Sequence, residues 1–155
     1  MEIRDAVQPG LVFLGLEAQD AANAIVVMAR ELSSPARLDA ALVEGALIER
    51  EKLGSTSVGN GFAIPHCKLS NLGEIVVALA RFGVGIDFGD TKTQEPVSFF
   101  FVVLSPPDQP AEHLQVLSQI ARILKNEDLR RELLDATDVA SIVDAIQRAA
   151  EQEGL

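Results

Sequence analysis

The run Val97-Ser98-Phe99-Phe100-Phe101-Val102-Val103-Leu104 constrains this chain more than any other segment. It is dense in Phe and Val, residues that suit a pleated surface, and it reads as the strongest strand in the sequence. A second apolar run, Ile75-Val76-Val77-Ala78-Leu79-Ala80, is long enough for a strand buried on both faces. Such strands need cover on each side, and helical patterns before and after them supply it. Ala21, Ala24, Ile25, Met28, Ala29 and Leu32 recur at three- and four-residue steps from about Ala18, and Ser33-Ser34-Pro35 is expected to end that helix. A second helix is expected from about Leu38 to Leu53, with Ala41, Leu42, Gly45, Leu47 and Ile48 inward, broken by Gly54-Ser55-Thr56-Ser57. Beyond the strong strand, a helix should start near Pro110 or Ala111, where a proline loses nothing because the first-turn amide has no partner. Leu114, Leu117, Ile120, Ala121 and Leu124 give it an apolar stripe. Asn126 can cap a short helix carrying Leu129, Leu133 and Leu134. A last helix is expected from about Val139, with Ile142, Val143, Ile146 and Ala149 inward.

The remaining segments fit between these. Leu11 to Leu14, ended by Gly15, reads as a first strand. Val58 to His66 is glycine-interrupted and reads as an extended, bent segment. Gly83, Gly85 and Gly89 mark turns after the second apolar run. The pattern predicts one α/β domain over residues 1–155, a mixed β-sheet flanked by helices. Hydrophobic residues at 48% can build that core without staples, and with seven Phe, no Trp and no Tyr it must be largely aliphatic.

Charge and cysteine usage narrow the function. A net charge of −10 argues against nonspecific binding to nucleic acid or anionic membranes. Cys67 is the only cysteine, so no intrachain disulfide can form, which fits a reducing cytosol. The N-terminus lacks a basic segment leading into an apolar signal core, and no apolar stretch approaches the roughly 20 residues that span a bilayer. A cytoplasmic protein without membrane insertion is expected. Two His and one Cys are too few for a zinc site, and no phosphate-binding or dinucleotide glycine motif occurs, so no metal or nucleotide cofactor is expected.

The chemistry concentrates in Asn60-Gly61-Phe62-Ala63-Ile64-Pro65-His66. Pro65 fixes its own φ and biases Ile64 toward extended geometry, so the side chain that follows is aimed. Gly59 and Gly61 let backbone approach a ligand closely. A stiffly presented imidazole in that setting is a candidate reacting group. The second histidine, His113, falls near the start of the helix that begins at about Pro110, where unsatisfied amides favour an anion. From its position alone it is equally a boundary histidine that packs and bonds to backbone. Arg50, in Glu49-Arg50-Glu51-Lys52, reads by itself as part of a solvated charge run.

The run Glu49-Arg50-Glu51-Lys52-Leu53-Gly54-Ser55-Thr56, followed by Gly59-Asn60-Gly61-Phe62-Ala63-Ile64-Pro65-His66, resembles the active-site region of the fructose/mannitol-type EIIA domains of the bacterial phosphoenolpyruvate-dependent phosphotransferase system. That family includes the nitrogen-regulatory EIIA proteins. Glu112-His113-Leu114-Gln115-Val116-Leu117 resembles its second-histidine helix, and the likeness covers nearly the whole chain. The resemblance implies that His66 accepts a phosphoryl group from the carrier HPr or its nitrogen-branch paralogue. It implies transfer onward to an EIIB domain, or use of the phosphorylation state as a signal. By the same match Arg50 would bind the phosphoryl group, His113 would be the supporting histidine, and Asn60 would be a polar loop residue of the substrate site. Cys67 departs from the Gly or Ala common after the active histidine, and Ser57 from a common Gly. A partly exposed thiol at Cys67 would allow oxidation to block the site.

Two roles compete within that reading, sugar uptake and regulation, and the lack of a fused EIIB or membrane domain leans toward regulation. A second class is an interaction module with an EIIA-like fold and no phosphorylation. A third, a small hydrolase using Cys67 or His66, has no nameable oxyanion hole.

Overall fold

The computed structural model describes residues 1–89 and 95–155. The chain runs through helix α1 (Ile3–Ala6), strand β1 (Val12–Leu16), helices α2 (Ala21–Ala36) and α3 (Ala40–Lys52), and strands β2 (Ser57–Gly59), β3 (Phe62–Ala63), β4 (His66–Lys68), β5 (Val76–Ile86) and β6 (Val97–Ser105). Helices α4 (Pro110–Ile123), α5 (Glu127–Asp135) and α6 (Val139–Gln152) follow. The strands form one mixed sheet in the order β1-β5-β6-β3-β2, with β4 also on β6. β5 and β6 are antiparallel, whereas β1 pairs with β5, and β3 and β4 with β6, in parallel. This is the expected α/β arrangement of a mixed sheet between helices.

Strand β6 shows why the sheet is covered twice. Phe99, Phe101 and Val103 join one core with Val116, Ile120, Leu133, Ile142 and Ile146 from α4, α5 and α6. Phe100, Val102 and Leu104 alternate to the other face and join Ile25, Met28, Leu32, Val43 and Leu47 from α2 and α3. Period-two alternation of side chains sends a continuous apolar run into two separate cores.

Several elements depart from the sequence expectation. Pro35 lies inside α2 and does not end it. The helix ends one residue later, at Ala36, and Arg37 follows in the left-handed region (φ 59), where the Arg37 and Leu38 amides bond back to Ser34 and Ser33 carbonyls. A proline this close to the end forfeits a single bond, to a carbonyl in the exposed last turns. Strand β5 continues through Gly83 and Gly85, which are not turns. A Cβ on Gly85 would lie 2.5 Å from the Pro96 Cβ, so the glycine makes room for the neighbouring chain beside a shift in register between Arg81 and Ile86. In α3 the inward residues are Val43 and Leu47, and Leu42 is 57% exposed. In α4 Leu114 is 66% exposed, and the buried stripe is His113, Val116, Gln119, Ile120 and Ile123. Apolar letters alone misplace that stripe because two of its members are polar. Gln119 can be inward because it accepts from the Ile3 amide (2.7 Å) and donates to Glu2 (2.6 Å).

Candidate functional site

The extended segment around His66 is built in three pieces. Gly59, Asn60 and Gly61 all have positive φ (85, 58 and 87), which turns β2 back into β3. β3 and β4 then hold the same register against β6, with Ala63 opposite Phe100 and His66 opposite Val103. Pro65 interrupts the ladder between them because it has no amide to donate. Its carbonyl still accepts from the Val103 amide at 2.9 Å. Since Pro65 points its carbonyl at β6, the polar groups of Ile64 point the other way. The Ile64 amide donates to the Thr56 carbonyl (3.0 Å), and the Ile64 carbonyl accepts from Nδ1 of His66 (2.7 Å).

That last bond decides the tautomer. A carbonyl oxygen can only accept, so Nδ1 carries the proton and Nε2 of a neutral His66 keeps its lone pair. Strand alternation sets the side. Cys67 packs into the α2 and α3 core, so His66 and Lys68 project to the α4 side. There the His66 and His113 rings face each other with centroids 5.6 Å apart.

His113 is only 6% exposed, on the inward face of the first turns of α4. Its Nδ1 lies 2.5 Å from Oγ of Ser105, the last residue of β6, which is fully buried. With Nδ1 engaged, Nε2 is the ring nitrogen left for a ligand. Ser105 was not singled out from the sequence. Its only signal there is its place as the polar residue that ends the strong strand before Pro106.

Arg50 is half-buried near the C-terminal end of α3, and its Nη1 donates to the Gly54 carbonyl at 3.0 Å. Its positive charge disfavours protonation of His66. Asn60 is not brought to the pair. It lines a hollow of about 420 Å³ with Ala121, Leu124, Lys125 and Arg130. Leu124 lies about 16 Å along the helix axis from His113 at 1.5 Å per residue. Among the described residues, no group of three or more His, Cys, Asp and Glu side chains gathers as a metal site.

Both imidazoles are held below the ordinary histidine range. Burial is the main cause for His66, and the Arg50 charge adds to it against the opposing Ile64 bond. Burial is also the main cause for His113, followed by His66 and Lys68. Protonation is therefore disfavoured in the folded state. The unfolded chain binds more protons just below pH 6.5, so stability falls as the pH drops from about 6.5 toward the folded values. We expect the His66 ring protons to titrate by NMR with a midpoint below about 6.5. Arg50→Gln should raise that midpoint, and an unchanged or lower value would separate Arg50 from the site.

Cys67 corrects one expectation. It is 8% exposed, and burial pushes its thiol up to about 12. A buried, protonated thiol is a poor target for oxidation and a poor nucleophile.

Residues 6–149 match the family of the EIIA 2 component of the phosphoenolpyruvate-dependent sugar phosphotransferase system. This chain belongs to that EIIA family. A nitrogen regulatory protein of Bradyrhizobium diazoefficiens is 34% identical over 142 residues, covering 92% of this chain and 92% of the relative. The fructose-specific EIIA component of Haloferax volcanii is 40% identical over 113 residues, covering 73% of this chain and 71% of the relative. The crystal structure of the nitrogen regulatory protein IIA-Ntr from Neisseria meningitidis superposes with a TM-score of 0.85 at 28% identity, over 93% of this EIIA chain and 98% of that one. Components of this family are phosphotransfer proteins. Among the described residues, no helix of this EIIA chain is long and apolar enough to cross a membrane.

Proposed function

We propose that this EIIA protein takes a phosphoryl group onto Nε2 of His66 from the phosphohistidine of an HPr-type carrier. The observation that carries the reading is the 2.7 Å bond from Nδ1 of His66 to the Ile64 carbonyl. It leaves Nε2 unprotonated beside His113 and under the charge of Arg50. The Nε2 lone pair attacks phosphorus, the N–P bond to the carrier breaks, and the carrier's nitrogen keeps that electron pair. No proton has to move in the step. Transfer through a loose transition state needs position and charge stabilisation more than covalent chemistry. Arg50 supplies a planar cationic fork for the equatorial oxygens. His113 supplies an Nε2–H when the Ser105 hydroxyl donates to its Nδ1.

The rim suits a protein donor. Leu53, just past the α3 end that carries Arg50, is 84% exposed, and Leu114, next to His113 within α4, is 66% exposed. Apolar side chains around a charged centre give a partner surface to bury while the centre is shielded from water.

For the fate of the phosphoryl group, regulation is the favoured branch. A relative that covers 92% of this chain is a nitrogen regulatory protein, as is a structural neighbour at TM-score 0.85. Transfer to an EIIB domain in sugar uptake is the other branch, and both place the protein in the cytoplasm. Incubation with phosphoenolpyruvate, Enzyme I and an HPr-type carrier should add one acid-labile phosphate, read by intact-protein mass spectrometry. Absence of label from either HPr or its nitrogen-branch paralogue would favour the phosphate-free interaction module. Rapid discharge to a fructose or mannitol EIIB would assign the chain to sugar uptake.

A further inference from the structure

The Ile64 carbonyl selects the tautomer of His66, so whatever holds that carbonyl also holds the reacting nitrogen. Ile64 and Pro65 are fixed from two sides. On one side the Val103 amide of β6 bonds the Pro65 carbonyl at 2.9 Å. On the other the Ile64 amide bonds the Thr56 carbonyl at 3.0 Å. Pairing within the sheet secures the first anchor. The second lies just past a loop, Gly54 and Ser55, that leaves the end of α3. A side chain of α3 secures it. One carboxylate oxygen of Glu51 accepts from the Thr56 amide at 3.2 Å, and the other accepts from the Thr56 hydroxyl. Thr56 is 6% exposed, so water does not readily replace these bonds.

We infer that Glu51 is a positioning residue for His66, acting through Thr56 and Ile64 on the orientation of the imidazole. The chain of contacts is continuous, from the Glu51 carboxylate to Thr56, from the Thr56 carbonyl to the Ile64 amide, and from the Ile64 carbonyl to Nδ1. Glu51 is also the residue after Arg50, whose guanidinium bonds Gly54 in the same loop. Two successive residues of one helix turn therefore clamp one loop, and the Glu51 bond links the Arg50 helix to the His66 strand. A carboxylate suits this position because it has two acceptor oxygens for two donors of one residue. A glutamine has the same shape but one acceptor, so its amide nitrogen would confront a donor. An error of about 1 Å in a reacting group lowers phosphoryl transfer by up to about a hundredfold.

The rate arm of the test rests on His66 as the phosphoryl acceptor, whereas the NMR arm does not. Glu51→Gln, Thr56→Val and Thr56→Ser are compared with the parent chain after thermal melts confirm that each is folded at the assay temperature. The ¹⁵N shifts of the His66 ring report its tautomer without any phosphate donor. We expect Nδ1–H to dominate in the parent chain and in Thr56→Ser, and to lose that dominance in Glu51→Gln and Thr56→Val. In single-turnover phosphorylation at saturating HPr-type carrier, Glu51→Gln and Thr56→Val should be slower by about ten- to a hundredfold, with half-saturation changed less than about twofold. The double variant should be no slower than the slower single one, since both changes break one connection. Thr56→Ser keeps both donors and should match the parent. Folded Glu51→Gln and Thr56→Val proteins that retain the Nδ1–H tautomer and the parent rate would reduce Glu51 to a staple at the helix end. If only one variant folds, that variant decides between these outcomes. A parent chain that takes no label overturns the acceptor role of His66, and the tautomer shift then decides the positioning claim alone.

Discussion

His66→Ala should take up no acid-labile phosphate under conditions that label the parent chain completely. The substitution removes Nε2, the nitrogen that the Ile64 bond leaves unprotonated. It should not disturb the fold, because β4 is held to β6 through its backbone and the ring is only part-buried. The control is therefore a melting curve close to the parent's. Intact-protein mass spectrometry before and after mild acid checks the result. Persistent label on the variant would move the acceptor elsewhere. His113 would be the next suspect, since its ring lies 5.6 Å from that of His66. Cys67 would not be, because its thiol is buried and pushed up to about 12.

The second large effect separates support from attack. His113→Ala should still become phosphorylated, but about a hundred- to a thousandfold more slowly, the usual effect of losing one preorganised donor of about 2.7–4 kcal/mol. Arg50→Lys should also be slower, because an ammonium cannot make the planar two-point contact of a guanidinium. Ser105→Ala should move in the same direction as His113→Ala by freeing Nδ1 of His113 from its 2.5 Å partner. Single-turnover transfer from the carrier and back to it measures all three. Rates within about twofold of the parent for both His113→Ala and Arg50→Lys would leave His66 as the sole functional residue of the three.

The pH behaviour joins the fold to this chemistry. Burial keeps both imidazoles neutral to lower pH than free histidine, so Nε2 of His66 stays available as a nucleophile below about pH 6.5. The same shift destabilises the folded state as the pH falls through that range. A negatively charged phosphoryl group would oppose it, because an anion beside an imidazole favours the protonated form.

Local chemistry made much of the architecture legible in advance. The two apolar strands, the helix pattern, the Asn126 cap and the Pro110 start all follow from side-chain period, amide satisfaction and rigid φ. Errors arose where a neighbour outweighed the local rule. Pro35 is tolerated at the end of α2, Gly83 and Gly85 belong to a strand that must clear Pro96, and a one-residue phase shift put Leu114 in solvent.

Site residues divide in the same way. Pro65 and the glycines before it mark His66 as an aimed side chain, because restricted φ values are written in the residue types themselves. The family likeness gave roles to Arg50, His113 and Asn60; the fold sets the His113 ring beside His66, lets the Arg50 charge act on it, and carries Asn60 to the other end of α4. What only the tertiary structure decided is the state of each ring. The partner of His66 Nδ1 is a carbonyl two residues away that faces outward because Pro65 faces β6. The partner of His113 Nδ1 is a serine at the end of another element. Glu51 reaches His66 only through two backbone groups. Residue types determine which groups can donate or accept. Which lone pair remains free depends on directions in space, and those are set when strands take register and helices pack on their faces.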